Sequence, residues 1–327
     1  MDELQTIASS KELSNELQKT LQNGIELEKK SRSINTLKRY EKAIKLLRKY
    51  CDKHNQQYLP LSPEVAYAFF SYMHMENYKW EGIKVVKSAI DFYHSQANLI
   101  SPLSHPRICS LLEGIKRDIG VDHKSSEPLL FDAIKMIIDE IPDDGLINLR
   151  DKAIFLLGFS GGFRSAELLS LMINDIAFKP QGLILTIRRS KTDQEGRGHT
   201  LAIPFNRKDK LYCPVIALKN WVDAINLKQG FLFRSFYKGG CKIRNNALSY
   251  IGLYKMFKNR CAKVGIDEKL VSPHGLRSGF NTSAAMVGAD LIKMREITNQ
   301  SLSTQQRYIK KVNLFDNNAN DLIFHNM

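Results

Sequence analysis

The 327-residue sequence carries 48 Lys and Arg against 34 Asp and Glu, a formal net charge of +14, with 43% hydrophobic residues. That length suffices for two domains with separate cores, and the balance of apolar to charged residues excludes a disordered or fibrous chain. The excess of positive charge points to a polyanionic partner, while scattered cysteines (Cys51, Cys109, Cys213, Cys241, Cys261) without a C-x-x-C pair argue against a disulfide scaffold or a zinc site.

Residues 3–30 read as a helix with Leu13, Leu17 and Leu21 on one stripe, either a lead-in or a partner-binding element. From Ile34 the pattern sharpens. Ile34, Leu37, Tyr40, Ile44, Leu47 and Cys51 recur at steps of three and four, which predicts an amphipathic helix. Its other face carries Lys38, Lys42, Lys45 and Lys49, a one-signed stripe better suited to a phosphate backbone than to plain solvation. Ser62-Pro63-Glu64 opens a second helix. A third runs from Trp80 to His94 with Lys84 and Lys87 exposed, and a fourth ends near Lys116-Arg117. Residues 119–128 break the helical pattern with Gly120, polar residues and Pro128, and read as a linker. The expected organisation is a lead-in over 1–30, a basic helical domain over 31–118, the linker, and a second domain over 129–327.

The second domain is expected to begin with helices at Phe131–Glu140 and Leu146–Phe159. Gly161-Gly162-Phe163-Arg164 then delivers an arginine to a helix start, with Glu167 one turn on as a capping or salt-bridge partner. Residues 183–188 and 199–204 predict a hairpin, and Lys191 lies near the start of its polar loop. Further helices are expected from Pro214 to Trp221 and from Leu248 to Val264. Ser272 is a suitable N-cap and Pro273 suits the first helical position, so His274 and Arg277 share one face at a helix N-terminus, where an anion is favoured. Downstream, Tyr308 is flanked by Arg307, Lys310 and Lys311. Histidine and arginine beside an anion, with a hydroxyl nucleophile in reach, suit phosphoryl transfer. The apolar Leu322-Ile323-Phe324 near the end could pack on its own or a neighbouring subunit.

In this order and spacing, Arg164, Lys191, His274-x-x-Arg277 and Tyr308 resemble the tyrosine recombinases, the family of phage integrases, Xer and Cre. Gly-Gly-Phe-Arg-Ser-Ala-Glu-Leu resembles the first arginine box, Ser-Lys-Thr-Asp-Gln-Glu-Gly-Arg-Gly the lysine hairpin, and His-Gly-Leu-Arg-Ser-Gly-Phe the second box. The resemblance implies a mostly α fold with a small β-sheet: a helical, SAM-like core-binding domain and a mixed α/β catalytic domain. It implies a site-specific recombinase in which Arg164 and Arg277 clamp the scissile phosphate of DNA. Tyr308 would attack it to give a 3′-phosphotyrosyl link, with Holliday-junction exchange to follow. Lys191 would protonate the leaving 5′-oxygen, His274 would assist proton transfer, and Glu167 would support the cluster. Lys38, Lys42, Lys45, Lys49, Lys84, Lys87 and Arg117 are the expected DNA-backbone contacts. The implied partners are double-stranded DNA with inverted-repeat sites and three further copies in a tetramer assembled on DNA, the free protein being monomeric. No cofactor or metal is needed, because the covalent link preserves the phosphodiester energy, and the expected location is the cytoplasm, at the nucleoid when bound. Asn299 departs from the pattern: it stands where the family usually has His or Trp, and it can donate a hydrogen bond but carry no proton charge. Two other readings are a type IB topoisomerase-like relaxing enzyme and a DNA-binding relative that has lost catalysis.

Overall fold

The computed structural model describes residues 14–29, 31–120, 126–188 and 198–312. The chain divides into two compact units, residues 1–124 and 125–327. Lys191 and Leu322-Ile323-Phe324 lie outside the described residues.

In the first unit, α1 (Asn15–Lys29) precedes four helices, α2 (Ile34–Lys53), α3 (Pro63–Met75), α4 (Trp80–Gln96) and α5 (Pro106–Ile119). Three of the four start at residues whose chemistry favours a helix N-terminus. The Ser33 hydroxyl accepts from the Thr36 N–H and that of Ser62 from the Val65 N–H, while Pro63 and Pro106 occupy first-turn positions where no donor is missed. Helix α2 packs on α4, and α3 on α5. Their apolar faces meet around Leu47, Phe69, Phe70, Met73, Ile83 and Ile108, all without solvent exposure. One polar ring joins this core without cost. His94 spends both nitrogens: Nε2 accepts from the Leu61 N–H at 3.0 Å, so Nδ1 donates to the Ile90 carbonyl at 2.8 Å.

The second unit is built around α7 (Leu146–Ser160), whose residues Arg150 to Phe159 are all buried. On one side lie α9 (Pro214–Ile225) and an antiparallel sheet of β1 (Ile176–Lys179), β2 (Gly182–Ile187) and β3 (His199–Pro204), in that order. The β2–β3 register pairs Leu183 with Ile203 and Leu185 with Leu201, so one face of the hairpin presents aliphatic chains to Trp221 and Leu218. On the other side α6 (Phe131–Glu140), α10 (Tyr250–Lys263) and α11 (His274–Met286) close a second core containing Ile134, Phe155, Phe257 and Leu276. The charges of α7 are paired inside it. Asp151 accepts from Arg150 at 2.8 Å and from Arg260 at 2.9 Å, so no charge of this trio is left alone. The short α8 (Ser165–Ser170) follows α7, a ribbon of β4 (Arg234–Phe236) and β5 (Ile243–Ala247) precedes α10, and α12 (Leu291–Thr298) and α13 (Leu302–Val312) follow α11.

The mostly helical architecture with a small sheet is the expected one. The sequence pattern did not reveal β1, the β4–β5 ribbon or α12. The ribbon is short and polar, with Asn245 and Asn246 at its centre, so it lacks the apolar alternation that marks a strand. Among the described residues no helix is long and apolar enough to cross a membrane.

Candidate active site

Two segments with opposite requirements meet at the start of α11. The extended residues 126–130 cross α11 so closely that the Leu129 N–H donates to the Gly275 carbonyl at 3.0 Å. At Gly279 a Cβ would lie 1.8 Å from the Leu129 carbonyl oxygen, so only glycine fits. Ser272 does not cap the helix as its position suggested. Its hydroxyl bonds that of Ser126 at 3.0 Å, and Pro273 occupies the cap position, leaving His274 as the first helical residue.

Arg277 is 1% exposed and held at both ends of its fork. Nη1 donates to the Gly162 carbonyl and Nη2 to the Thr298 carbonyl, each at 2.6 Å, while Nε–H is buried with no hydrogen-bond partner among the described residues. Gly162 has φ +53 and a Cβ there would come within 2.7 Å of the Thr298 methyl, so the turn and its close packing on Thr298 both favour glycine. The glycine turn also delivers Arg164, which sits at the N-cap of α8. Glu167 Oε1 accepts from Arg164 Nη1 at 2.6 Å and Oε2 from the Arg164 backbone N–H at 2.8 Å. The same Oε2 lies 3.6 Å from Arg277 Nη1. A single buried carboxylate therefore stands between two guanidiniums.

The electrostatics follow from this crowding. Burial, and then repulsion from Arg164, push the Arg277 pKa down to about 10, with Glu167 and Tyr308 acting in the opposite sense. Arg277 remains charged near neutrality. His274 meets solvent, yet the chain around it strips part of its hydration and the cations of Arg277 and Arg164 add repulsion, so its pKa falls below the ordinary value. Among the described residues, two guanidiniums sharing one carboxylate leave the pocket with a surplus of positive charge.

The half-buried Tyr308 lies on α13, which packs on both α11 and α12. Asn299 caps α12 in the left-handed conformation, φ 48 and ψ 43, its N–H bonded to the Arg295 carbonyl at 2.8 Å. Asn299 borders a cavity of about 740 Å³ between α12 and β3, together with His199, Lys293 and Arg295. Arg164, Glu167, Arg277, His274 and Tyr308 are thus gathered at one place. The two carbonyls that hold Arg277 escape a reading of the sequence, because a backbone acceptor leaves no mark in residue type. Thr298 and Gln305 escaped it too, although a polar residue on the inner face of an amphipathic stretch was the available signal.

In the first unit, Lys38, Lys42, Lys45, Lys49, Lys84, Lys87 and Arg117 are all exposed. Lys45 pairs with Glu41 at 2.7 Å and Lys84 with Glu81 at 3.2 Å. A groove of about 610 Å³ between α4 and α5 is lined by Trp80, Lys84, Lys87 and Lys116, and a smaller one between α2 and α4 by Arg39 and Lys84. Lys116 and Arg39 were not among the expected contacts. Among the described residues no group of three or more His, Cys, Asp or Glu is arranged to hold a metal ion.

The phage integrase family model matches residues 128–313. The chain belongs to the phage integrase family. It is 32% identical over 294 residues to an integrase/recombinase XerD homologue of Selenomonas ruminantium, an alignment that covers 89% of this chain and 85% of the relative. The fold of this integrase-family chain is also that of XerH site-specific recombinase bound to palindromic difH substrate (TM-score 0.57, 20% identity, 79% of this chain and 70% of that one). A lambda integrase dimer bound to a COC′ core site matches similarly (TM-score 0.56, 16% identity, 85% and 92%). This tyrosine recombinase therefore belongs among enzymes that transfer DNA strands.

Proposed function

We propose that this recombinase cuts and rejoins double-stranded DNA at specific sites through a covalent bond to Tyr308. The observation that carries the reading is the pocket's unbalanced positive charge: Arg164 and Arg277 share the one carboxylate of Glu167, and the nucleophile helix is docked beside them. Such a pocket favours a dianionic pentacoordinate phosphorus over the singly charged diester, which is differential stabilisation of the transition state. In the proposed step the Tyr308 oxygen attacks phosphorus as its proton leaves, the bond from phosphorus to the 5′-oxygen breaks, and that oxygen departs as a 5′-hydroxyl. Lys191 supplies its proton by the family resemblance. His274, kept neutral by its surroundings, is suited to accept a proton or a phosphate hydrogen bond near pH 7. Attack of a 5′-hydroxyl from the partner duplex reverses the chemistry and passes through a Holliday junction. Residues 31–118 are read as the core-binding domain and residues from 129 as the catalytic domain, acting as a tetramer on two duplexes with inverted-repeat sites.

The test is covalent trapping on a nicked duplex whose cleaved end diffuses away. Tyr308→Phe removes one oxygen, so folding and DNA binding should persist while the covalent complex disappears. A complex that survives in this variant moves the nucleophile elsewhere. Arg164→Ala or Arg277→Ala should also abolish trapping, since losing one charged donor from such a clamp costs about 3 kcal/mol or more.

A further inference from the structure

Gln305 is a polar side chain with no solvent exposure, three residues before Tyr308 on α13. That spacing places it one turn back on a neighbouring stripe of the same helix. Its Nε2–H donates to the Thr298 hydroxyl at 3.0 Å, and that hydroxyl donates to the Met294 carbonyl at 2.9 Å. The Thr298 carbonyl accepts from Arg277 Nη2 at 2.6 Å. A continuous path thus runs from the tyrosine's helix through one amide and one threonine to the buried arginine. Among the described residues Gln305 Oε1 is buried with no hydrogen-bond partner, which makes the residue costly as mere filling: a leucine or methionine would occupy the space without stranding an acceptor.

We infer that Gln305 is a positioning residue that locks the Tyr308 helix to the carbonyl holding Arg277, so that nucleophile and phosphate clamp are set in one geometry. The inference rests on the reading of Tyr308 as nucleophile and Arg277 as clamp. The described part of α13 joins α12 through a three-residue connection, and a directional side-chain bond between the two fixes the register of α13 against its neighbours more narrowly than apolar packing does. A shift of a fraction of a turn would carry the tyrosine oxygen out of line with the scissile bond, and misplacement by about 1 Å can cost about a hundredfold in rate.

The experiment uses the full chain and a nicked duplex carrying a site selected from random-sequence DNA by the full chain itself. Gln305→Met keeps the volume and deletes the donor. Thr298→Val deletes the acceptor hydroxyl and keeps the carbonyl that holds Arg277. Each should slow single-turnover formation of the covalent complex by roughly 10- to 100-fold while DNA affinity stays within about twofold. The double variant should be no slower than the slower single one, because both changes cut the same link. If Gln305→Met does not fold, as judged by its thermal transition, Thr298→Val decides alone. Rates near wild type in the folded variants overturn the inference. So do independent, multiplying losses, or binding that falls as far as cleavage. Tyr308→Phe separates the two readings. An adduct in that variant removes the nucleophile reading itself, whereas no adduct there with full rates in the link variants removes only the role of Gln305.

Discussion

Asn299 shows how a residue's type can answer two demands at once. By the family resemblance it stands where His or Trp is usual, and it also caps α12 at φ 48, a conformation that asparagine tolerates far better than most side chains and glycine adopts freely. Replacing it with Ala would mix strain with loss of the amide. Asn299→Gly keeps the cap and removes only the side chain, so a folded Gly variant whose cleavage falls by roughly ten- to a thousandfold identifies the amide as a phosphate donor. Cleavage within about twofold of wild type would leave the amide no part in the chemistry. His274 offers a second test. Its pKa is lowered, so the native state resists protonation and the unfolded chain binds more protons between the lowered native value and the ordinary one of about 6.5. The stability contributed by His274 is therefore complete above that ordinary value and declines as pH falls through the window beneath it. NMR titration of the His274 ring should give a midpoint below about 6.5 in the free protein. In Arg164→Ala the midpoint should move up, because one repelling charge is gone; an unmoved midpoint would show that burial and Arg277 set it without Arg164.

At the scale of elements, glycine placement separates contacts from mere flexibility. Gly279 lets the extended residues 126–130 lie against α11, and a methyl there would meet a backbone oxygen that cannot swing aside. Gly279→Ala is expected to destabilise the protein by about 3 kcal/mol, at the upper end of overpacking costs. Gly114 lies within α5, where an added Cβ would meet nothing within 4 Å among the described residues. Gly114→Ala should instead stabilise α5 by about 0.5–1 kcal/mol, because alanine loses less backbone freedom in a helix. Urea unfolding followed by circular dichroism measures both. Opposite signs are the expected result, and equal effects would mean that the close approach at Gly279 relaxes.

Across the whole molecule, the net charge of +14 and the exposed lysines make DNA affinity a matter of counterion release. The binding constant should fall steeply and log-linearly with salt. Each lysine that meets a phosphate should lower the slope by about 0.9 when replaced by alanine. The lysines of α2 are not equivalent. Lys45 is tied to Glu41, whose carboxyl it holds below the usual range, whereas Lys38 and Lys42 have no carboxylate within ion-pair distance among the described residues. Lys38→Ala and Lys42→Ala should therefore cost more affinity than Lys45→Ala, by filter binding at several salt concentrations. Equal losses would show that Lys45 leaves Glu41 for the phosphate.

The amphipathic steps of Ile34 to Cys51 and the alternation around Leu183 and Leu201 announced their elements, because burial of one face imposes a period on the sequence. The order of Arg164, His274, Arg277 and Tyr308 announced the family for a similar reason: a charged phosphate needs particular side chains at particular turns of chain. The rest was decided in three dimensions. That Arg277 is gripped by the carbonyls of Gly162 and Thr298 could not be read beforehand, since every residue carries a carbonyl and only packing brings these two to the guanidinium. Ser272 looked like a cap and became a partner of Ser126, because the crossing of residues 126–130 offered its hydroxyl an acceptor far away in sequence. The chain's chemistry was local and legible, whereas its geometry depended on contacts between residues distant in the chain, which composition and spacing do not encode.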